Sequence, residues 1–249
     1  MLAEGTTPAG TQNEEQAAKW VRRMFGNIAP RYDFLNHLLS LNLDRYWRGK
    51  TAARVSSILE RPEARVLDLC CGTGDLMLKL AGYGSAEVLG SDFSHPMLVA
   101  ARKKVLESNR RCALFESDAL ALPIVDESLD LITIAFGFRN LANYRRGMIE
   151  LARVLKPGGT LAILEFSQPP NALLSRMYSL YSNSILPVLG GWISGSRDAY
   201  SYLPESVRKF PGAEALADQM REDGFENVQF QRMTAGIVAL HLGDRRRSV

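Results

Sequence analysis

Val66-Leu67-Asp68-Leu69-Cys70-Cys71-Gly72-Thr73-Gly74-Asp75 is the stretch whose reading decides the fold. Its first half is apolar and strand-like. Its second half is a glycine turn, and Leu76, Leu78, Leu80 and Ala81 then follow a helical pattern. A strand that breaks at glycines and restarts as a helix is a nucleotide-binding turn. Gly72 and Gly74 carry no Cβ, so a ligand can approach the backbone there. Asp68 sits inside the apolar strand, where a carboxylate is costly unless backbone N–H groups or a ligand cation meet it. The alternative is a tight strand-to-helix turn with no ligand.

The turn is not a dinucleotide cradle. That fingerprint reads G-x-G-x-x-G and sets a pyrophosphate on a helix N-terminus. Here the third glycine is replaced by Met77, and Asp75 puts negative charge where the pyrophosphate belongs. Acids around the turn suit a cationic ligand such as S-adenosylmethionine, with its sulfonium and α-ammonium groups. The spacing D-x-x-x-G-x-G from Asp68 to Gly74 resembles the first motif of the Rossmann-like methyltransferases. A second apolar run, Glu87 to Ser94, carries Asp92 about twenty residues beyond the turn, where an acid accepts from ribose hydroxyls. Asp92 can instead cap the helix that begins near Pro96. Phe93 and Met97 can pack on an adenine face. A third strand from Cys112 ends at Asp118, which can accept from the adenine amino group while the Ala119 N–H donates to the ring. Asp118 can equally be a loop-solubilising acid.

The rest of the chain fits one α/β domain. Its 249 residues are 46% hydrophobic with a net charge of +3, which suits a globular protein and is too mild for a nucleic-acid binder. The three cysteines have no paired spacing, and the three histidines stand apart from them, so neither a disulfide frame nor a metal site is expected. No signal pattern opens the chain, and Met177 to Ser196 reads poorly as a membrane span. The expected location is the cytoplasm, with peripheral contact at the inner face of the membrane allowed by the weak positive charge and by Arg245-Arg246-Arg247.

Residues 1–14 read as a mobile tail and residues 15–249 as one domain. Residues 15–60 form a helical cap, with one helix from Glu14 to Phe25 and another from Thr51 to Leu59. The aromatic segment Phe25 to Ser40 between them reads equally as a lid over the site and as a plain cap on the sheet. Leu129 to Gly137 is a fourth, central strand. A helix from Tyr144 and a fifth strand, Thr160 to Phe166, follow. Residues 171–210 form an insertion, read either as a cover for the cofactor or as a homodimer interface, with a helix starting at Pro204. A helix from Glu214 and two strands, Asn227 to Phe230 and Gly236 to Leu242, close the chain. The expected architecture is a doubly wound, mostly parallel sheet of about seven strands.

Two segments carry a more specific resemblance. Tyr32-Asp33-Phe34-Leu35-Asn36, with Ser40 and Trp47, resembles the first signature of the ubiquinone/menaquinone biosynthesis C-methyltransferases. Arg153-Val154-Leu155-Lys156-Pro157-Gly158-Gly159 through Glu165-Phe166-Ser167 resembles the second, and Phe136-Gly137-Phe138-Arg139-Asn140 resembles that family's segment after the fourth strand. The resemblance implies a class I, S-adenosylmethionine-dependent fold. It also implies methylation of a lipophilic polyprenyl quinol at a ring carbon, as in demethylmenaquinol to menaquinol, with a ubiquinone-pathway benzoquinol as the alternative. It implies cofactor contacts from Thr73, Asp92, Asp118 and Ala119. Two positions depart from the family's pattern: Asp44 stands where a His is usual, and Ala135 where a Ser is frequent, leaving only backbone to meet the cofactor.

A ring carbon beside a phenol becomes nucleophilic once the oxygen loses its proton, which an unperturbed phenol holds to a pKa of about 10. A nearby cation favours that loss. Arg139 is the candidate cation, Asn140 the candidate for orienting the hydroxyl or a water, and Tyr32 completes the network. The alternative has Arg139 tied to Asp33 or Glu165 in an ion pair. Other classes remain open at this stage: a different small-molecule O- or N-methyltransferase, and a cofactor-binding regulator without catalysis.

Overall fold

The computed structural model describes residues 5–171 and 197–247. Residues 172–196, most of the expected insertion, lie outside the described residues, as do its readings as cover or interface. Seven strands form one sheet: β1 (Arg65–Leu69), β2 (Glu87–Asp92), β3 (Cys112–Glu116), β4 (Leu129–Ala135), β5 (Leu155–Phe166), β6 (Phe225–Met233) and β7 (Val238–Arg245). Their order is β3-β2-β1-β4-β5-β7-β6. The first five are parallel, and β7 runs antiparallel between β5 and β6.

Period-two alternation along the strands builds two cores. Leu67, Leu69, Ile132, Ile134, Leu161 and Ile163 pack on one face. That face is covered by α7 (Tyr144–Val154) and α9 (Ala213–Glu222) through Met148, Leu151, Leu216 and Met220. Val66, Val88, Leu131, Ala162 and Leu164 pack on the other. There α3 (Leu43–Arg54), α4 (Ser56–Leu59) and α5 (Asp75–Leu80) contribute Trp47, Ala52, Leu59, Leu76 and Leu80. The helix expected over Thr51 to Leu59 is thus two helices meeting at Val55.

The cap is α1 (Glu14–Ile28) and α2 (Tyr32–Leu39), joined by a single tight turn over Ala29–Arg31. Asn13 caps α1 by accepting from the Gln16 N–H. Val21, Met24, Ile28 and Leu35 form a third cluster with Met97 of α6 (His95–Ser108) and Tyr202 of α8 (Arg197–Lys209). Pro204 lies inside α8 and does not start it. The expected tail is not loose along its described length. Gly5, Thr6 and Pro8 are buried, and the Thr6 N–H donates to the Leu141 carbonyl at 2.8 Å.

Candidate active site

In an open α/β sheet, ligands sit beyond the carboxyl ends of the strands where the strand order reverses. Here that point lies between β1 and β4, and a pocket opens there. Leu69, Cys70 and Gly72 line it from β1, and Asp92, Phe93 and Met97 from β2 and α6. Ser117 to Leu120 line it after β3, and Ala135, Phe136, Gly137 and Asn140 after β4. Ala18, Phe25 and Tyr32 form the cap side. Phe25 and Tyr32 thus bring the inner side of this segment to the pocket, and Phe34 and Leu38 face outward. Cys70 (φ 54°) and Phe136 (φ 59°) hold left-handed backbone on this wall, a conformation that costs energy for a residue with a side chain.

Asp92 stands on the pocket wall at the end of β2. It is 6% exposed, and its oxygens accept from the Gly72 and Ser94 N–H groups, each at 2.9 Å. Burial pushes its carboxyl up to about 6, against the pull of those backbone donors. Each oxygen is left with capacity for another donor, which two ribose hydroxyls would use. Gly72 has φ +55°, and a Cβ there would stand 3.6 Å from Tyr32 Cε1. The absent side chain keeps open a gap between the turn and the cap. Asp118 faces the same pocket and is steadied by the Leu120 N–H at 2.9 Å. Its loop is clamped from below: Glu150 accepts the Leu122 N–H, and Arg153 donates to the Leu122 and Ile124 carbonyls. Ala119, Phe93, Met97 and Ala135 are also on the wall.

Four expected site residues are not. Asp68 shares strand parity with Val66, so it points under α3 and α5 and not into the pocket. It pairs across the sheet with Thr133, whose hydroxyl donates to Oδ1 at 2.7 Å. Its Oδ2 has no hydrogen-bond partner, and burial raises its carboxyl to about 7. Thr73 is turned away beneath the cap, where it donates to Asp33 and accepts from Lys104. Gly74 serves the backbone (φ +86°) and close packing: a Cβ would lie 3.1 Å from Met77 and 3.4 Å from Ala101. Arg139 is 5% exposed and donates from Nη1 to Glu165 at 2.8 Å and to the Phe136 carbonyl. Glu165, 1% exposed, also accepts the Arg139 and Phe166 N–H groups. Burial pushes the Glu165 carboxyl up, and Arg139 pulls it partly back. Of the two acids weighed as partners for Arg139, Glu165 is the one that holds it.

Asn140 does reach the pocket, and behind it stands a polar chain that sequence reasoning missed. The Tyr202 hydroxyl donates to Asn140 Oδ1 at 2.9 Å and meets Thr6 Oγ1 at 2.7 Å. Burial pushes Tyr202 up to about 12, so it stays protonated. Tyr32 is likewise raised by burial.

The first signature explains itself as the clamp that seats the cap. Asp33 takes Lys104 at 2.6 Å, and Lys104 also reaches Asp75 at 2.5 Å. Asp44 accepts from Ser40 at 2.7 Å and pairs with Arg48 and His37. Burial opposes the Asp44 charge, but Ser40 and Arg48 outweigh it and hold the carboxyl below its ordinary value. Trp47 donates to Thr234 at 2.8 Å and packs on Phe136. His37, Asp44 and Asp75 do converge, with Arg48 and Lys104 already supplying positive charge to the two acids.

This sheet order, with a glycine turn after β1 and a buried acid at the end of β2, defines a class I S-adenosylmethionine-dependent methyltransferase. Comparison with known proteins agrees. The sequence profile of the ubiE/COQ5 methyltransferase family matches residues 11–245. The chain is 49% identical to a demethylmenaquinone methyltransferase from Thermus thermophilus, over 89% of this chain and 100% of that protein. It is 44% identical to the ubiquinone/menaquinone biosynthesis C-methyltransferase UbiE of Syntrophotalea carbinolica, over 90% and 93%. A solved S-adenosylmethionine-dependent methyltransferase from Thermotoga maritima superposes with a TM-score of 0.63, at 21% identity, over 90% of this chain and 99% of that one. At that identity the likeness speaks for the fold alone. The chain belongs to the ubiE/COQ5 methyltransferase family.

Proposed function

We propose that this methyltransferase converts demethylmenaquinol to menaquinol, placing a methyl group on a ring carbon of a polyprenylated naphthoquinol. The observation that carries the reading is the make-up of the pocket. Phe25, Leu69, Leu120, Phe136 and Leu141 give it apolar walls, Asp92, Ser117 and Asp118 give it a polar side after β2 and β3, and Asn140 gives it a further buried polar corner after β4. A flat aromatic ring bearing hydroxyl groups suits such a site, with its faces on the walls and an oxygen at the corner. The relative at 49% identity, named for the naphthoquinone substrate, favours menaquinone over a benzoquinol.

When bound, S-adenosylmethionine supplies an electrophilic methyl on sulfur. The chain's own residues do the rest. The walls exclude water and align the ring carbon. Asn140, held by Tyr202 and by the Phe136 carbonyl, orients the ring hydroxyl. Arg139 is a positioning residue. Its guanidinium, neutralised by Glu165, donates to the Phe136 carbonyl, which also accepts from the Asn140 side-chain amide, and so holds Asn140 in place. With the donor bound, transfer would exchange its S–CH3 bond for a ring C–CH3 bond, leaving S-adenosylhomocysteine, and the proton displaced from that ring carbon would pass to water. The test is incubation of the protein with S-adenosylmethionine and chemically reduced demethylmenaquinone. One added methyl per ring is expected; an unchanged quinone with intact S-adenosylmethionine would overturn the reading.

A further inference from the structure

We propose that the outer face of the α2–α3 hairpin docks on an anionic lipid bilayer and so brings a tailed substrate to the pocket. The second half rests on the quinol reading above; the docking itself does not. Five of the ten exposed large hydrophobic side chains among the described residues fall between Phe34 and Tyr46: Phe34 (59% exposed), Leu38 (41%), Leu41 (77%), Leu43 (37%) and Tyr46 (53%). Phe34 and Leu38 share one helical face by their i, i+4 spacing, and Leu43 and Tyr46 share another by i, i+3. Leu41 and Asn42 form the tip between them, both in left-handed backbone (φ 52° and 61°). An exposed leucine held in that conformation costs stability without burying anything within the chain.

The charge around this surface has one sign. From residue 31 to residue 54 the exposed charged side chains are Arg31, Arg45, Lys50 and Arg54. Of the two acids of the stretch, Asp44 is buried on Ser40 and Arg48, and the half-buried Asp33 is neutralised by Lys104. Apolar side chains rimmed by cations, with the anions buried or neutralised, match the interface of an anionic membrane. The inner side of the same hairpin belongs to the site: Tyr32 lines the pocket and Trp47 packs on its Phe136 wall. One helix thickness therefore separates the docking face from the pocket.

The experiment is flotation of the full chain with phosphatidylglycerol/phosphatidylcholine vesicles and with pure phosphatidylcholine vesicles, together with sedimentation velocity. The parent should bind the anionic vesicles and lose that binding in high salt. Phe34→Ser/Leu41→Ser should weaken it at least about tenfold, and Arg45→Glu/Lys50→Glu by a similar factor, given the area and charge removed. Both variants should keep parental turnover on a short-tailed, water-soluble quinol and lose it on a long-tailed quinol embedded in vesicles. Absence of vesicle binding by the parent, or equal binding by parent and both variants, would overturn the proposal. So would variants that only dissolve a dimer, which would make this face a contact between copies. Anionic vesicle binding without methylation of any quinol would sink the substrate reading and leave the docking standing.

Discussion

Replacing Glu165 with leucine should unfold this enzyme more readily than almost any other single change at the site. Glu165 is 1% exposed and Arg139 is 5% exposed. Leucine fills much of the same space but leaves the Arg139 guanidinium buried without its counter-ion. Removing one partner of a buried ion pair costs about 3–5 kcal/mol. The Arg139 and Phe166 N–H groups also lose their acceptor, so the upper end of that range is expected. Removing both charges is different. Arg139→Met/Glu165→Leu leaves no buried charge, only the unpaired Arg139 and Phe166 backbone N–H groups, at about 1–3 kcal/mol for each buried group left unmet, while the Phe136 carbonyl keeps the Asn140 side-chain amide as donor. The double variant should therefore lie well above the sum of the two singles, with a coupling of about 2–3 kcal/mol. Urea unfolding of the four proteins, followed by tryptophan fluorescence, gives the numbers if the slopes match. A loss below about 1 kcal/mol for Glu165→Leu, or singles that simply add, would show that Arg139 is not held by this pair.

Three further outcomes follow from the geometry. Asp68 titrates near 7 in the fold and near 3.9 unfolded, so the folded state holds the extra proton between those values. Stability must then fall as pH rises across about 4 to 7, and Asp68→Asn should flatten that slope relative to the parent; identical slopes would refute the burial argument. A Cβ on Gly137 would lie 2.4 Å from Cys70 Cβ. Gly137→Ala must therefore push the pocket floor and weaken S-adenosylhomocysteine binding about tenfold or more by calorimetry; parental affinity would mean that the floor is softer than its packing implies. Tyr202→Phe deletes the hydroxyl between Thr6 and Asn140 and should lower kcat about tenfold while leaving cofactor affinity within about twofold; a change in affinity alone would place Tyr202 on the wrong side of the pocket.

The strands, the glycine turn and Asp92 were legible because each is written locally. Apolar runs, glycines and a terminal acid sit side by side in the chain. That Asp68 lies off the pocket wall was not read although its parity with Val66 was visible, because the sequence does not say which helices lie over that face. Arg139 had two candidate acids, and only the adjacency of β4 and β5 brings Glu165 to it. Tyr202 meets Asn140 across 62 positions and Thr6 across 196, and no local pattern carries such contacts. Pro204 misled for a physical reason: proline favours a helix's first turn, yet α8 was already running from Arg197. The cap signature read as a family mark in sequence and as a set of interlocked Asp33, Asp44 and Trp47 contacts in the fold.

The most direct measurement follows the methyl group itself. Protein is supplied with methyl-labelled S-adenosylmethionine and reduced demethylmenaquinone, and the product is mapped by NMR. The account predicts label on a ring carbon, with S-adenosylhomocysteine formed in equal amount. Label on a ring oxygen, or none transferred while the cofactor binds, would contradict it.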